Sequence, residues 1–96
     1  MSEAEAGSTA AVFKALADPN RVRIFNQLVT SSQPVCVCDI TAHVRLSQPT
    51  TSFHLKKLVS AGLLLREQRG TWAYYSINRD VFGRLRNIFD LKEAVA

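Results

Sequence analysis

Apolar positions recur every three to four residues along most of the chain, and in one stretch they alternate with polar ones. Val12, Phe13 and Leu16 mark one face of a first helix. Asp18-Pro19 starts a second: Asp18 can cap it, and Pro19 suits the first helical position, where its missing N–H is not needed. Val22, Phe25, Leu28 and Val29 continue that helix to a loop at Ser31-Ser32-Gln33-Pro34. A third helix starts near Cys36, carries Ile40, Ala42 and Val44, and closes at Leu46. Ser47 caps a fourth, Pro49 sits in its first turn, Leu55, Leu58 and Val59 form its buried face, and Gly62 ends it as a left-handed residue. The period then changes to two. Leu63 to Gln68 reads as a strand, Arg69-Gly70-Thr71 as a turn, and Trp72 to Ile77 as a second strand. A last helix runs from about Arg79 with Val81, Phe82, Leu85, Ile88 and Phe89 on one stripe.

Four helices, a hairpin and a fifth helix form a mainly α (α+β) chain ordered α-α-α-α-β-β-α. That is the order of a winged helix-turn-helix, with the third and fourth helices as the helix-turn-helix and the hairpin as the wing. Residues 1–8 are small and polar and are expected to fray, leaving 9–96 as one DNA-binding domain. A chain of 96 residues builds a modest core. The stripes Val12, Phe13, Leu16 and Phe82, Leu85, Ile88, Phe89 therefore predict a homodimer joined through its first and last helices. No apolar run is long enough to span a membrane, and the acidic Met-Ser-Glu-Ala-Glu start is no signal peptide, so a cytoplasmic location is expected.

Charge sharpens the reading of the middle of the chain. The net charge is +4, yet residues 45–79 hold Arg45, Lys56, Lys57, Arg66, Arg69 and Arg79 against Glu67 alone. Such a surplus suits either a polyanion-binding surface or a solvated charged face. The fourth helix presents Ser47, Gln48, Thr50, Thr51, Ser52, His54, Lys56 and Lys57 beside its apolar stripe. Hydroxyls, an amide and an imidazole can reach base edges, and lysines suit phosphates. Arg69 and flexible Gly70 at the hairpin tip could enter an adjacent groove. The same polar face could also be merely solvated.

The two cysteines, Cys36 and Cys38, are too close for an unstrained disulfide. Within a regular helix, residues two apart point roughly 200° apart and cannot grip one ion. At a helix start they can, because an N-cap residue lies outside helical register. Cys36 falls at that position, Asp39 three residues on is near a capping-box pattern, and the positive helix end favours thiolate. Two small buried apolar side chains would look the same in sequence.

The stretch from Leu46 to Leu64, LSQPTTSFHLKKLVSAGLL, resembles the recognition helix of the ArsR/SmtB family of metal-sensing repressors. Ala15 to Ile24 resembles that family's second helix, and Arg69-Gly-Thr-Trp-Ala-Tyr-Tyr75 its wing. The resemblance implies a homodimer on an imperfect inverted repeat of operator DNA, released when metal binds. Cys-Val-Cys-Asp at the third helix resembles the sensor of the arsenic branch, which implies Cys36 and Cys38 as ligands of As(III) or Sb(III). Two departures from the family pattern matter. Thr41 stands where the arsenic type often has a third cysteine, so a solvent molecule or small thiol would complete the site. No cysteine precedes Cys36, so a cadmium or lead site lacks its usual partners. The last helix has Asp80, Asp90 and Glu93 but no histidine for the family's other site. His43 reads as a surface residue.

No glycine-rich phosphate loop or nucleophile–base pair suggests an enzyme. The readings that stay open on this fold are a metal(loid)-released repressor, a thiol redox sensor, and a constitutive binder with inert cysteines.

Overall fold

The computed structural model describes residues 1–90. It comprises α1 (Glu3–Leu16), α2 (Pro19–Val29), β1 (Val35–Cys36), α3 (Val37–Val44), α4 (Gln48–Ser60), β2 (Leu64–Arg69), β3 (Trp72–Ile77) and α5 (Arg79–Ile88). Glu93 and the expected end of the domain at residue 96 lie outside the described residues. Among those residues no helix is long and apolar enough to cross a membrane.

Local chemistry explains where the helices begin. Asp18 caps α2, its carboxylate accepting from the Asn20 and Arg21 amides at 2.9 and 3.2 Å. Ser47 caps α4 and Asn78 caps α5. The first helix begins earlier than the apolar pattern suggests: Ser2 Oγ accepts from the Glu5 amide at 3.0 Å and the Glu5 carboxylate accepts from the Ser2 amide at 3.4 Å. This capping box, followed by alanines of high helix propensity, starts α1 at Glu3.

Helix ends follow from backbone conformation. Gly62 has φ +86°, its amide bonds to Val59 O, and Leu63 N bonds to Leu58 O, the paired bonds of a Schellman motif. Arg45, with φ +58°, ends α3 in the left-handed region and is the only non-glycine residue there among the described residues.

Two expected strands are joined by a third. The sheet is antiparallel in the order β1-β3-β2, with Val35 opposite Tyr75 and Cys36 opposite Tyr74. Two residues are too few to show alternation, so β1 exists only through its pairing. The β2–β3 hairpin pairs Arg69 with Trp72 across Gly70-Thr71, and Gly70 has the positive φ (+63°) required of the first central residue of a type II′ turn.

The core centres on Ile24, Ile40, Val44, Leu55, Leu58, Leu63 and Leu64, each no more than 2 % exposed. It fastens α2, α3 and α4 to one another and to the root of the hairpin. Val22 and Val29, expected to extend the apolar face of α2, are instead exposed.

Candidate DNA-binding surface and thiol site

Gln48, Thr50, Lys56 and Lys57 lie exposed on α4, as their positions suggest. Ser47 is exposed too, but its hydroxyl is engaged: it accepts from the Thr50 amide and donates to Thr50 Oγ1 at 2.9 Å. Thr51 does not reach solvent. It is fully buried, and its hydroxyl donates to Ser47 O at 2.9 Å. Thr51, Leu55 and Leu58 share i, i+4, i+7 spacing, which puts all three on the core side. His54 is half-buried. Its Nδ1 lies 3.4 Å from an Arg21 guanidinium nitrogen. Arg21 also donates to Ala15 O at 2.6 Å, so His54 ties α4 to the α1–α2 corner.

The hairpin divides its charges between two faces. Arg66 and Gln68 lie on the face toward α4 and are linked at 2.7 Å. Together with Gln48, Lys56 and exposed Trp72 they line a groove of about 450 Å³ between recognition helix and wing. Arg69 lies on the opposite face, bound to Glu67 at 3.0 Å, its guanidinium 4.7 Å from the centre of the Tyr74 ring. Arg69 thus has a charge partner on its own strand, and Gly70 is exposed at the turn. Arg66 joins the candidate surface without having been expected there, and strand alternation, which sets it beside Gln68, is the signal that points to it; Trp72 pairs with Arg69 across the hairpin and borders the groove at the tip, where alternation gives no such signal.

Cys36 is the N-cap of α3. Its backbone is extended (φ −64°, ψ 141°) and its sulfur accepts from the Cys38 amide at 3.4 Å. Cys36 is buried and Cys38 exposed. A hydrogen bond with the Cys36 side chain raises the Cys38 pKa, helped by desolvation and the neighbouring Cys36 and Asp39 charges. Thr41 donates its hydroxyl to Val37 O at 2.7 Å and is satisfied within its own helix. Among the described residues no group of three or more His, Cys, Asp or Glu side chains is placed to hold a metal ion. The site therefore offers two thiols, one buried and one open to solvent.

Residues 18–65, which run from the α2 cap through the cysteine pair and the recognition helix into β2, match the model of the arsR family of bacterial regulatory proteins. The chain belongs to that family. It is similar to the arsenical resistance operon repressor of Bacillus subtilis, 44% identical over 66 residues that span 69% of this chain and 62% of the relative. It is also similar to the arsenic resistance transcriptional regulator ArsR1 of Pseudomonas putida, 41% identical over 73% of this chain and 54% of the relative. The arsR-family chain thus spans little more than half to about three-fifths of the length of these relatives. Among solved structures it resembles the homodimeric winged helix-turn-helix DNA-binding domain of a possible ArsR-family regulator from Mycobacterium bovis. There the TM-score is 0.74 at 30% identity, covering 94% of this chain and 88% of that one.

The terminal helices of this arsR-family chain divide the expected dimer residues. Val12 is 2 % exposed and belongs to the protomer's own core; Leu16 and Leu85 pack half-buried against it. Val12 is thus covered within the protomer, whereas Leu16 and Leu85 keep part of their surface. Phe13, Phe82, Ile88 and Phe89 are exposed, Phe89 by 69 %. Phe13 meets Phe89 edge-on at 6.0 Å, and Phe82 stacks on Phe25 at 6.5 Å, leaving a ridge of aromatic surface along α1, α2 and α5.

Proposed function

We propose that this arsR-family protein is a dimeric transcriptional repressor. It binds double-stranded operator DNA through α4 and the β2–β3 hairpin, and releases it when As(III) or Sb(III) binds Cys36 and Cys38. One observation carries the reading: Cys36 supplies the N-cap of α3, so its sulfur turns toward Cys38 and serves the helix start as well. Names of the Bacillus and Pseudomonas relatives, which concern arsenic resistance, support the choice of metalloid.

DNA binding follows from the exposed polar and basic face. Gln48 and Thr50 read base edges, while Lys56 and Arg66 meet phosphates. The aromatic ridge of Phe13, Phe82, Ile88 and Phe89 meets its copy in a second protomer, which sets two recognition helices at the spacing of a two-fold operator.

Release follows from the double duty of Cys36. Both sulfurs must face one centre, so Cys36 must give up its bond to the Cys38 amide and the first turn of α3 must change. Cys36 is also paired with Tyr74 in the sheet, and the Tyr74 ring underlies the Arg69 guanidinium. Movement at the helix start is passed to α4 through the α3–α4 core and to the hairpin through β1. With no third protein thiol, a solvent oxygen or small thiol completes the coordination.

Direct binding is tested by thiol counting. Arsenite should protect both cysteines of the native protein from a disulfide reagent, at one equivalent per chain. Protection of neither cysteine, or of Cys38 alone, contradicts a shared site.

A further inference from the structure

One exposed side chain on the recognition helix is unlike its neighbours. Phe53 is 48 % exposed. On a helix turning about 100° per residue it stands roughly opposite the buried side defined by Thr51, Leu55 and Leu58. It therefore points away from the protein's own core, flanked on the same surface by Thr50, Lys56 and Lys57. Its ring is held from two directions. The Lys57 ammonium lies 5.3 Å from its centre, and the His54 ring lies beside it at 5.7 Å, itself fixed by Arg21. An apolar ring presented this way has ordered surroundings but no apolar cover.

The occupant must be apolar where it meets the ring and anionic around it. A protein interface is a poor match, since lysines are depleted from interface cores and here they border the ring. The major groove of DNA fits both demands. Thymine presents its C5 methyl there, a group read by apolar contact, and phosphates line both edges of the groove. We infer that Phe53 is a specificity-determining residue that reads a thymine methyl in the major groove, with Lys56 and Lys57 on the flanking phosphates. The inference rests on the DNA-binding reading above and adds to it a base and a contact.

The test separates the two. Duplexes that bind the wild-type protein are selected from a random library, and each thymine is replaced singly by deoxyuridine, which removes only the methyl. Affinities are measured by fluorescence anisotropy for the wild type, Phe53→Ala and Phe53→Leu. At one or two positions per half-site the replacement should weaken wild-type binding about fourfold, the effect of burying one methyl-sized group. Phe53→Ala should bind the thymine duplex correspondingly less well and be indifferent to the replacement, with Phe53→Leu between them. Phe53 is exposed, so all three proteins should melt alike, and that is checked by circular dichroism. If no single replacement weakens the wild type, or if Phe53→Ala keeps the same sensitivity, the inference is overturned while the DNA-binding reading stands. If the library yields no bound duplex, both fall.

Discussion

Replacing Cys36 by alanine and by serine separates two roles that this residue combines. Its sulfur accepts from the Cys38 amide at 3.4 Å and closes the start of α3. Truncating a capping side chain to alanine typically costs about 1 kcal/mol. Sulfur is a weak acceptor, which puts this cap toward the low end. The side chain is also only 6 % exposed, so alanine loses some buried volume as well. Together these predict that Cys36→Ala loses about 1–2 kcal/mol, whereas Cys36→Ser, which keeps an acceptor of better chemistry, stays within about 0.5 kcal/mol of the parent. For a domain of this size each kcal/mol shifts Tm by about 4–8 °C. The assay is thermal unfolding under reductant at one fixed protein concentration, because association makes Tm concentration-dependent. The expected order places the alanine variant several degrees below the other two. The same magnitude bears on release: forfeiting about 1 kcal/mol of cap is about fivefold in DNA affinity, and tenfold needs about 1.4 kcal/mol. The cap alone falls short, and the β1 pairing of Val35 and Cys36 with Tyr75 and Tyr74 must contribute the rest. If the alanine and serine variants melt together, the cap adds nothing and the helix start cannot transmit the signal.

Phe89→Glu, at the most exposed point of the aromatic ridge, should give a monomer in sedimentation at micromolar concentration; a persistent dimer places the interface elsewhere. Leu85 is a worse probe, because it also packs on its own core. Lys56→Ala should weaken binding to all DNA sequences alike and lower the salt slope by about one, whereas Gln48→Ala should relax sequence preference at constant slope; equal effects on both readouts would remove the distinction. The amide of Arg21, then that of Asn20, holds the Asp18 carboxyl below its usual range against an opposing effect of burial. Its folded pKa is depressed, so its stabilisation is present above the unfolded value of about 3.9 and is lost as pH falls through the folded value. Asp18→Asn, which keeps a capping oxygen, should therefore melt below the parent at pH 6 and converge with it toward pH 2–3. A constant gap would show that the charge of Asp18 plays no part.

Features set by near neighbours are legible in the amino-acid sequence: Asp18-Pro19, the Ser47 cap, the Gly62 stop, the Cys36 cap and the hairpin around Gly70. Each is fixed by side-chain chemistry within four residues of itself. β1 is not legible, since two residues become a strand only when β3 lies beside them. Thr51 is misleading because its hydroxyl looks like a DNA contact; its spacing with Leu55 and Leu58 places it inside, where Ser47 O satisfies it. Alternation also gives Arg69 a place that its position at the tip does not: it lies with Glu67, on the face away from α4. Val12 reads as dimer surface because an apolar stripe does not say how much of itself the protomer covers. Phe53 draws no attention as an aromatic residue inside an otherwise polar face until helical spacing gives it a direction.

The central claim is that arsenic acts through Cys36 and Cys38 to release DNA. Its most direct test titrates arsenite into a complex of the reduced protein with a fluorescent selected duplex, following anisotropy, for the wild type and for Cys36→Ser/Cys38→Ser. Both proteins should bind the duplex with similar affinity before arsenite is added. The wild type should then lose at least tenfold in affinity as arsenite saturates, and the double variant should stay bound throughout. Release of the double variant at the same arsenite concentration as the wild type would contradict the claim.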